Sequence, residues 1–425
     1  VAFMFGSETD DVRLSADDLF VRREVSINGE EDVIAIDLCR VDGDGVLTGE
    51  IASCYGDECV VGAIAAHPVV PIDEPEAENM TVVSEWSGSP EWDTGEVTIN
   101  VRHHGDLAYV VRSADGLRIV DLTDPAQPVD LGHLPPRFPA DEYYNDVKIH
   151  EAGGRIYAFL ASSLRGVVAA DVTDPSAPVE VGTFPAAPIG GGEVRVHTLF
   201  IEGDRLYAAT TSLGALQIFD IAAPAEGFAQ LGQFVHPDVG TFGGFVHDLS
   251  VQDGIAYLNY WNLGFVAVDA GKDPSAPAVV GAFADYPRRT SHSNWVTEVG
   301  GRRIAVHGDE DFDAHVRIVD VDPESATAFE EIGSYQTRAP VSVHNIMAVG
   351  ELALVTYYQD GLRVLDLADP TSPVEVAHFA SWPGAEPGYG RSFYEGAIGV
   401  DHDPERDLIL LADTHRGLIV LTLDR

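Results

Sequence analysis

The segment GLRVLDLADPTSPVEVAHF (Gly361–Phe379) holds two apolar runs on either side of an Asp-Pro step. Nearly the same sentence stands at Gly116–Leu134 (GLRIVDLTDPAQPVDLGHL), Gly166–Phe184 (GVVAADVTDPSAPVEVGTF) and Phe265–Phe283 (FVAVDAGKDPSAPAVVGAF). Degenerate copies occupy Ala215–Phe234 and Val316–Tyr335, and a truncated copy, GLIVLTLDR, ends at Arg425. Asp-Pro steps fall at Asp124, Asp174, Asp273, Asp322 and Asp369, a spacing of about 50 residues or a multiple of it, which is the period of propeller blades. The runs are rich in Val, Ile and Leu, alternate or run continuously over a few residues, and carry no extended 3.6-residue stripe, so they read as strands. Proline between them removes a backbone donor and favours extended geometry, while Asp accepts a backbone N–H at the turn.

Working outward, each copy is preceded by a strand, a Gly- or Asp-marked hairpin and a second strand, as in HTLFIEGDRLYAATT (His197–Thr211), HDLSVQDGIAYLNYW (His247–Trp261) and HNIMAVGELALVTYY (His344–Tyr358). Four antiparallel strands make one blade. Seven third strands can be found, at Leu117–Leu122, Val167–Val172, Leu216–Ile221, Phe265–Asp269, Val316–Val321, Leu362–Leu367 and Leu418–Leu423. The last has no fourth strand after it. MTVVSEW (Met80–Trp86) has a fourth-strand pattern and is expected to complete that blade, closing the ring and removing exposed sheet edges. The expected fold is therefore all-β: a seven-bladed β-propeller over residues 80–425, closed by an N-terminal strand, with a small β-rich extension and linker over residues 1–79.

The repeated motif resembles the LVIVD-repeat family of bacterial secreted and surface β-propellers. The resemblance covers about Met80 to Arg425, and SHSNWVTEVGGRRIAV (Ser291–Val306) and EGAIGVDHDPERDLILLADTHRGLIVL (Glu395–Leu421) are similar to that family's later blades. It implies a fold and an exported setting; a fold alone does not imply an activity.

The formal net charge is −44, from 69 Asp and Glu against 25 Lys and Arg, and Lys148 and Lys272 are the only lysines. Nucleic acid and anionic membrane surfaces are poor partners for such a chain, and no apolar run is long enough for a membrane span. All three cysteines, Cys39, Cys54 and Cys59, precede the repeats. A Cys54–Cys59 disulfide leaves Cys39 over, and pairing of Cys39 with either is open. A repeat region free of thiols suits a secreted or cell-surface protein, extracellular or periplasmic. VDGDGVLTGE (Val41–Glu50) is reminiscent of a calcium loop but misses the 12-residue ligand pattern. GDEDFDAH (Gly308–His315) offers Asp309, Asp311 and Asp313 as a second possible calcium site beside its reading as a solvated acidic loop.

When the blades are aligned on their first hairpin, His197, His247 and His344 share one position and His292 lies about two residues away. Blades one and two place Asn100 and Asn145 there, and blade seven has no polar equivalent near Ala397–Gly399. First strands line the axis of a propeller, so four imidazoles from consecutive blades are expected at one mouth. They can pack structurally, or hold Zn, Fe, Cu or Mn, with a carboxylate such as Asp248 or Glu395 completing the shell. Long connections gather at the same mouth and carry aromatics and scarce arginines, which makes Arg137, Tyr144, Arg288, Arg289, Trp382, Arg391 and Tyr394 candidate substrate-binding residues. No phosphate loop, nucleophile elbow or zinc-protease helix is present, and no catalytic residue can be named. Two classes fit. One is an extracellular metal-dependent enzyme, an oxidoreductase or lyase, acting on an anionic, aromatic or sugar substrate at the channel mouth. The other is a non-catalytic binding module for a small-molecule, glycan or protein partner, with structural histidines.

Overall fold

The computed structural model describes residues 11–14, 18–27, 30–41, 46–55, 58–66, 69–87, 97–113, 115–139, 141–184, 194–242, 244–384 and 394–424. The chain divides into two compact units, Val1–Ile72 with Pro383–Phe393, and Asp73–Trp382 with Tyr394–Arg425. Strand dominates both, and Val239–Phe242 is the one α-helix among the described residues.

The first unit is a five-stranded antiparallel sheet in chain order, from Asp11–Leu14 to Glu58–Ala66. Leu19, Val21 and Leu38 form its buried cluster, with Ile36, Leu47 and Ile64 packed against them. Cys54 and Cys59 face each other across adjacent strands and form a disulfide, leaving Cys39 exposed and free. Of the pairings the sequence left open, cross-strand adjacency selects this one. Residues 42–45 of the first calcium-like loop lie outside the described residues.

The second unit contains seven antiparallel sheets. Their first strands are Thr98–His104, Tyr144–Ala152, Val196–Glu202, Asp248–Gln252, Ser291–Val299, Ile346–Val349 and Ala397–Asp403. Each packs on the first strand of the next sheet, and Ala397–Asp403 packs on Thr98–His104. Met80–Trp86 is the fourth strand of the seventh sheet, paired from Leu418↔Trp86 to Leu423↔Met80. Ala77–Glu78 adds two residues to the edge of the sixth sheet, and Glu74 binds Arg363 of that sheet, so the segment expected as linker takes part in the packing.

The cores lie between neighbouring sheets. Leu216 and Ile218 of the third meet Leu249, Leu258 and Val266 of the fourth. Leu354 and Val364 of the sixth meet Ile409, Leu411 and Leu421 of the seventh, together with Met80. Each such aliphatic side chain contributes about 1.5–3 kcal/mol by leaving water.

The repeated Asp-Pro turns connect sheet to sheet. Asp174, Asp273 and Asp369 each accept the backbone N–H two residues on, at 3.0 Å, which folds the turn on itself. The turn then docks on the fourth strand of the preceding sheet. A Cβ on Gly232 would lie 1.7 Å from the Pro274 carbonyl oxygen, and one on Gly333 2.3 Å from that of Pro370. Only glycine leaves room there. Ser84, in the N-terminal strand of the seventh sheet, instead donates a hydrogen bond to the Pro125 carbonyl of the first at 2.5 Å. In the sixth sheet the corresponding residue is Ala377, which faces no such turn: the seventh sheet takes its fourth strand from elsewhere in the chain.

Residues from all seven first strands line one polar cavity, among them Arg102, Asp146, Lys148, Asp248, Asn294, Ile346 and Val400. Asp146 accepts from Asn100, Lys148 and the Leu199 N–H, tying three sheets together. Burial pushes the Lys148 ammonium down to about 8 and the Asp248 carboxyl up to about 6.

Candidate metal centre

The four expected histidines form a continuous row. Ring centroids are 3.9 Å apart for His197–His247, 4.1 Å for His247–His292 and 4.4 Å for His292–His344, with interplanar angles of 40–48°. His197, His247 and His344 stand the same distance before their hairpins; bulges bracket His197 and His292 alike, and the two-residue offset of His292 goes with its longer strand, Ser291–Val299 against Val196–Glu202. His247 is 7% exposed and His292 1%.

Burial makes all four bases hard to protonate. His197 is pushed down to about 4 and His344 to about 3, while His247 and His292 lie well below the usual imidazole range, lowered further by the neighbouring rings. The rings are therefore neutral at physiological pH, the form that ligates metals. His344 directs Nδ1 to the Ile398 carbonyl at 2.6 Å. By contrast, Nδ1 of His197, Nδ1 of His247 and both ring nitrogens of His292 are buried and make no hydrogen bond of good geometry, although the backbone of the next histidine in the row (His247, His292 and His344 in turn) faces each ring. Buried polar atoms are normally satisfied, so four orphaned nitrogens in one row are an anomaly.

A carboxylate joins them. Glu310 Oε2 lies 3.5 Å from His292 Nε2, and ligand atoms of His247, His292 and Glu310 all fall within 4.8 Å of one another. Burial pushes Glu310 up to about 7, against the opposing effect of the Tyr358 hydroxyl, which donates to Oε1. A cation among these three groups would engage one nitrogen of His247 and one of His292 and hold the glutamate ionised.

Sequence reasoning missed Glu310. Asp248, expected as the completing carboxylate, lies in the polar cavity beside Asp146 and Lys148, and Glu395 accepts from Trp382 Nε1 at 3.0 Å. The acidic loop also resolves differently from a calcium site. Asp309 serves Tyr286 and Arg317, Asp311 pairs with Arg288, and Asp313 accepts from Gln336. These carboxylates have separate partners.

A signal for Glu310 was available. Three residues before the glycine that opens the third strand stand Ser113, Ser163, Thr211, Trp261, Tyr358 and Thr414. The fifth sheet lacks that glycine and carries the insertion. Its backbone bond Glu310 N→Thr290 O nevertheless matches Ser113 N→Val97 O, Ser163 N→Tyr143 O and Thr414 N→Gly396 O, which sets Glu310 in the same register. Four sheets place a small hydroxyl residue there. The fourth, fifth and sixth place Trp261, Glu310 and Tyr358, beside the histidine row.

The other expected residues divide by environment. Tyr394 is 37% exposed, with its ring 5.7 Å from Tyr358. Trp382 and Tyr144 are buried in packing, Tyr144 against Arg165. Arg137 is exposed over Phe138, and Arg288 and Arg289 bind Phe312, Asn262 and Ala284 carbonyls of nearby loops. Arg391 lies outside the described residues.

The LVIVD repeat profile matches residues 97–133, 146–185, 243–285 and 342–380. The chain carries four LVIVD repeats. They coincide with its first, second, fourth and sixth sheets, and the degenerate copies fold in the same way between them. No curated protein matches the chain. Among solved structures, the computationally designed Ika8 protein is similar at a TM-score of 0.51 and 8% identity, over 80% of this chain and 98% of that one. At that identity the likeness extends to fold alone.

Proposed function

We propose that the seven sheets are the blades of a closed propeller whose mouth, at blades four to six, binds one first-row transition metal ion. His247, His292 and Glu310 are the ligands, with His344 and His197 next in the row. The observation that carries this reading is the set of orphaned, buried, neutral ring nitrogens facing a buried carboxylate. Two imidazoles and one carboxylate leave coordination positions open, the pattern of catalytic rather than closed structural sites. Such an ion supplies Lewis-acid or redox chemistry to a substrate bound at those positions, so the protein acts as a metal-dependent enzyme, an oxidoreductase or lyase. Nitrogen-rich ligation favours Fe, Cu, Zn or Mn over Ca. The disulfide Cys54–Cys59 and the acidic surface support a secreted or cell-surface setting.

Metal content of protein purified without chelator tests the reading. One equivalent, retained through dialysis and lost in His247→Ala/His292→Ala while the variant keeps its folded circular dichroism spectrum, is the expected result. Protein that neither carries nor takes up Fe(II), Cu(II), Zn(II) or Mn(II) overturns it and leaves the binding-module reading.

A further inference from the structure

Trp261 and Tyr358 are not explained by metal ligation. At their register four other sheets close the turn with Ser or Thr, so the fold does not require a large ring there. Both have a left-handed backbone, with φ of 42° and 38°, a region that bulky residues enter only at a cost and that clusters at functional sites. The two turns share their hydrogen bonding. Tyr260 N donates to Gly264 O and Tyr357 N to Gly361 O, both at 2.8 Å.

The rings stand at different stations along the histidine row. Trp261 lies 5.0 Å from His247 and 6.3 Å from His292, and Phe245 stacks on it at 5.4 Å and 19°. Tyr358 lies 4.7 Å from His344, its hydroxyl on Glu310, and Tyr394 meets its ring edge-on at 5.7 Å and 69°. One aromatic pair thus borders the His247–His292 side of the ligand set, and the other borders the Glu310–His344 side. Phe245, Trp261 and Tyr394 all retain exposure. Aromatic faces recognise flat rings through offset and edge contacts, while the open coordination positions accept an oxygen donor.

We infer that the ligand taken at this site is a planar aromatic carrying a metal-binding oxygen, of the phenol or catechol class, its ring lying against the partly exposed Trp261 and Phe245 and its oxygen on the ion, while the buried Tyr358 holds Glu310. This rests on the metal reading above.

The test loads the full chain with Cu(II) and titrates it with 4-nitrocatechol, followed by its visible absorption. Acetohydroxamate, an aliphatic oxygen chelator, is titrated in parallel. In Trp261→Leu and in Phe245→Leu the expected result is nitrocatechol binding weakened about tenfold, with acetohydroxamate affinity and bound copper changed less than about twofold. Trp261→Phe should restore most of the loss. If copper stays bound and the variants affect both chelators alike, or neither, this inference fails and the metal reading stands. If the parent protein takes up none of Fe(II), Cu(II), Zn(II) and Mn(II), both fail; if it takes up another of them in place of copper, the same pair of titrations is run on that ion.

Discussion

At the rim of the second unit, the fourth strands of successive sheets offer a glycine or a small residue to the next sheet's turn. At the mouth, the inner ends of the same sheets diverge. The rim positions Gly132, Gly232 and Gly333 all meet a proline carbonyl. The mouth register instead runs Ser113, Ser163, Thr211, Trp261, Glu310, Tyr358, Thr414. The rim contact is a backbone-to-backbone approach shared by the first, third and fifth sheets, while Gly182 and Gly281 of the second and fourth leave room for Phe228 and Phe329 instead. The mouth residues include buried ones, Tyr358 and Thr414, as well as the partly exposed Trp261, but none makes a backbone approach that the packing of sheet on sheet repeats, so chemistry can select them. Uniformity therefore marks what holds the sheets together, and departure marks what they hold.

The largest effect should come from violating the rim. Gly232→Val places a side chain where the Pro274 carbonyl lies, and thermal or urea unfolding should show a loss of about 3 kcal/mol or more, since overpacking and forced backbone shifts add. Any protein that still folds should bind metal normally, because the rim and the mouth are separate.

At the mouth the reverse holds. His292→Ala should weaken metal binding by about 100-fold or more, beyond the 10–100-fold expected for an outer partner such as Tyr358→Phe. Unfolding of the metal-free variant should also shift, because His292 is a buried ring packed between His247 and His344 whose removal leaves a cavity, so affinity and stability are read separately. A metal titration followed by isothermal calorimetry separates the two variants. Equal effects would mean that His292 is not a ligand.

Acid should act next. His197, His344 and the buried His307 have folded values near 4, 3 and 4, below the unfolded value. Between those values and about 6.5 the unfolded chain binds protons that the folded chain refuses. Metal-free stability should thus fall as pH drops through that window, at up to about 1.4 kcal/mol per pH unit for each histidine. Glu310, raised to about 7, acts oppositely: its contribution is present at low pH and is lost as pH rises through that value. The histidines outnumber it, so the net slope is loss on acidification. His307→Phe should flatten the slope measured by urea unfolding at pH 6.5 and pH 4.5. An unchanged slope would mean that His307 is not a proton-refusing group.

The smallest effect belongs to the exception at the rim. Ala377→Gly should cost about 1–2 kcal/mol, the backbone-entropy term plus the loss of one methyl from the core cluster. A gain in stability would show a contact there that glycine relieves.

The sequence by itself determined the strands, the turns, the LVIVD repeats, the use of Met80–Trp86 as a seventh sheet's fourth strand and the four histidines. All of these are written in local patterns: alternation, Asp-Pro steps, and a residue recurring at a fixed distance from a hairpin. It did not reveal that Cys54 pairs with Cys59, because three cysteines leave three pairings until the strands are laid side by side. It missed Glu310 because the insertion GDEDFDAH removes the glycine that numbers the register, and only the backbone bond to Thr290 restores it. It drew Asp248 and Trp382 to the mouth, where tertiary packing turned one into the polar cavity and buried the other. Residues in a repeat know their place along the strand from their neighbours in sequence. Whether two of them converge depends on strands 40 or more residues away, as with Glu310 and His247, and that distance is closed only when the sheets pack.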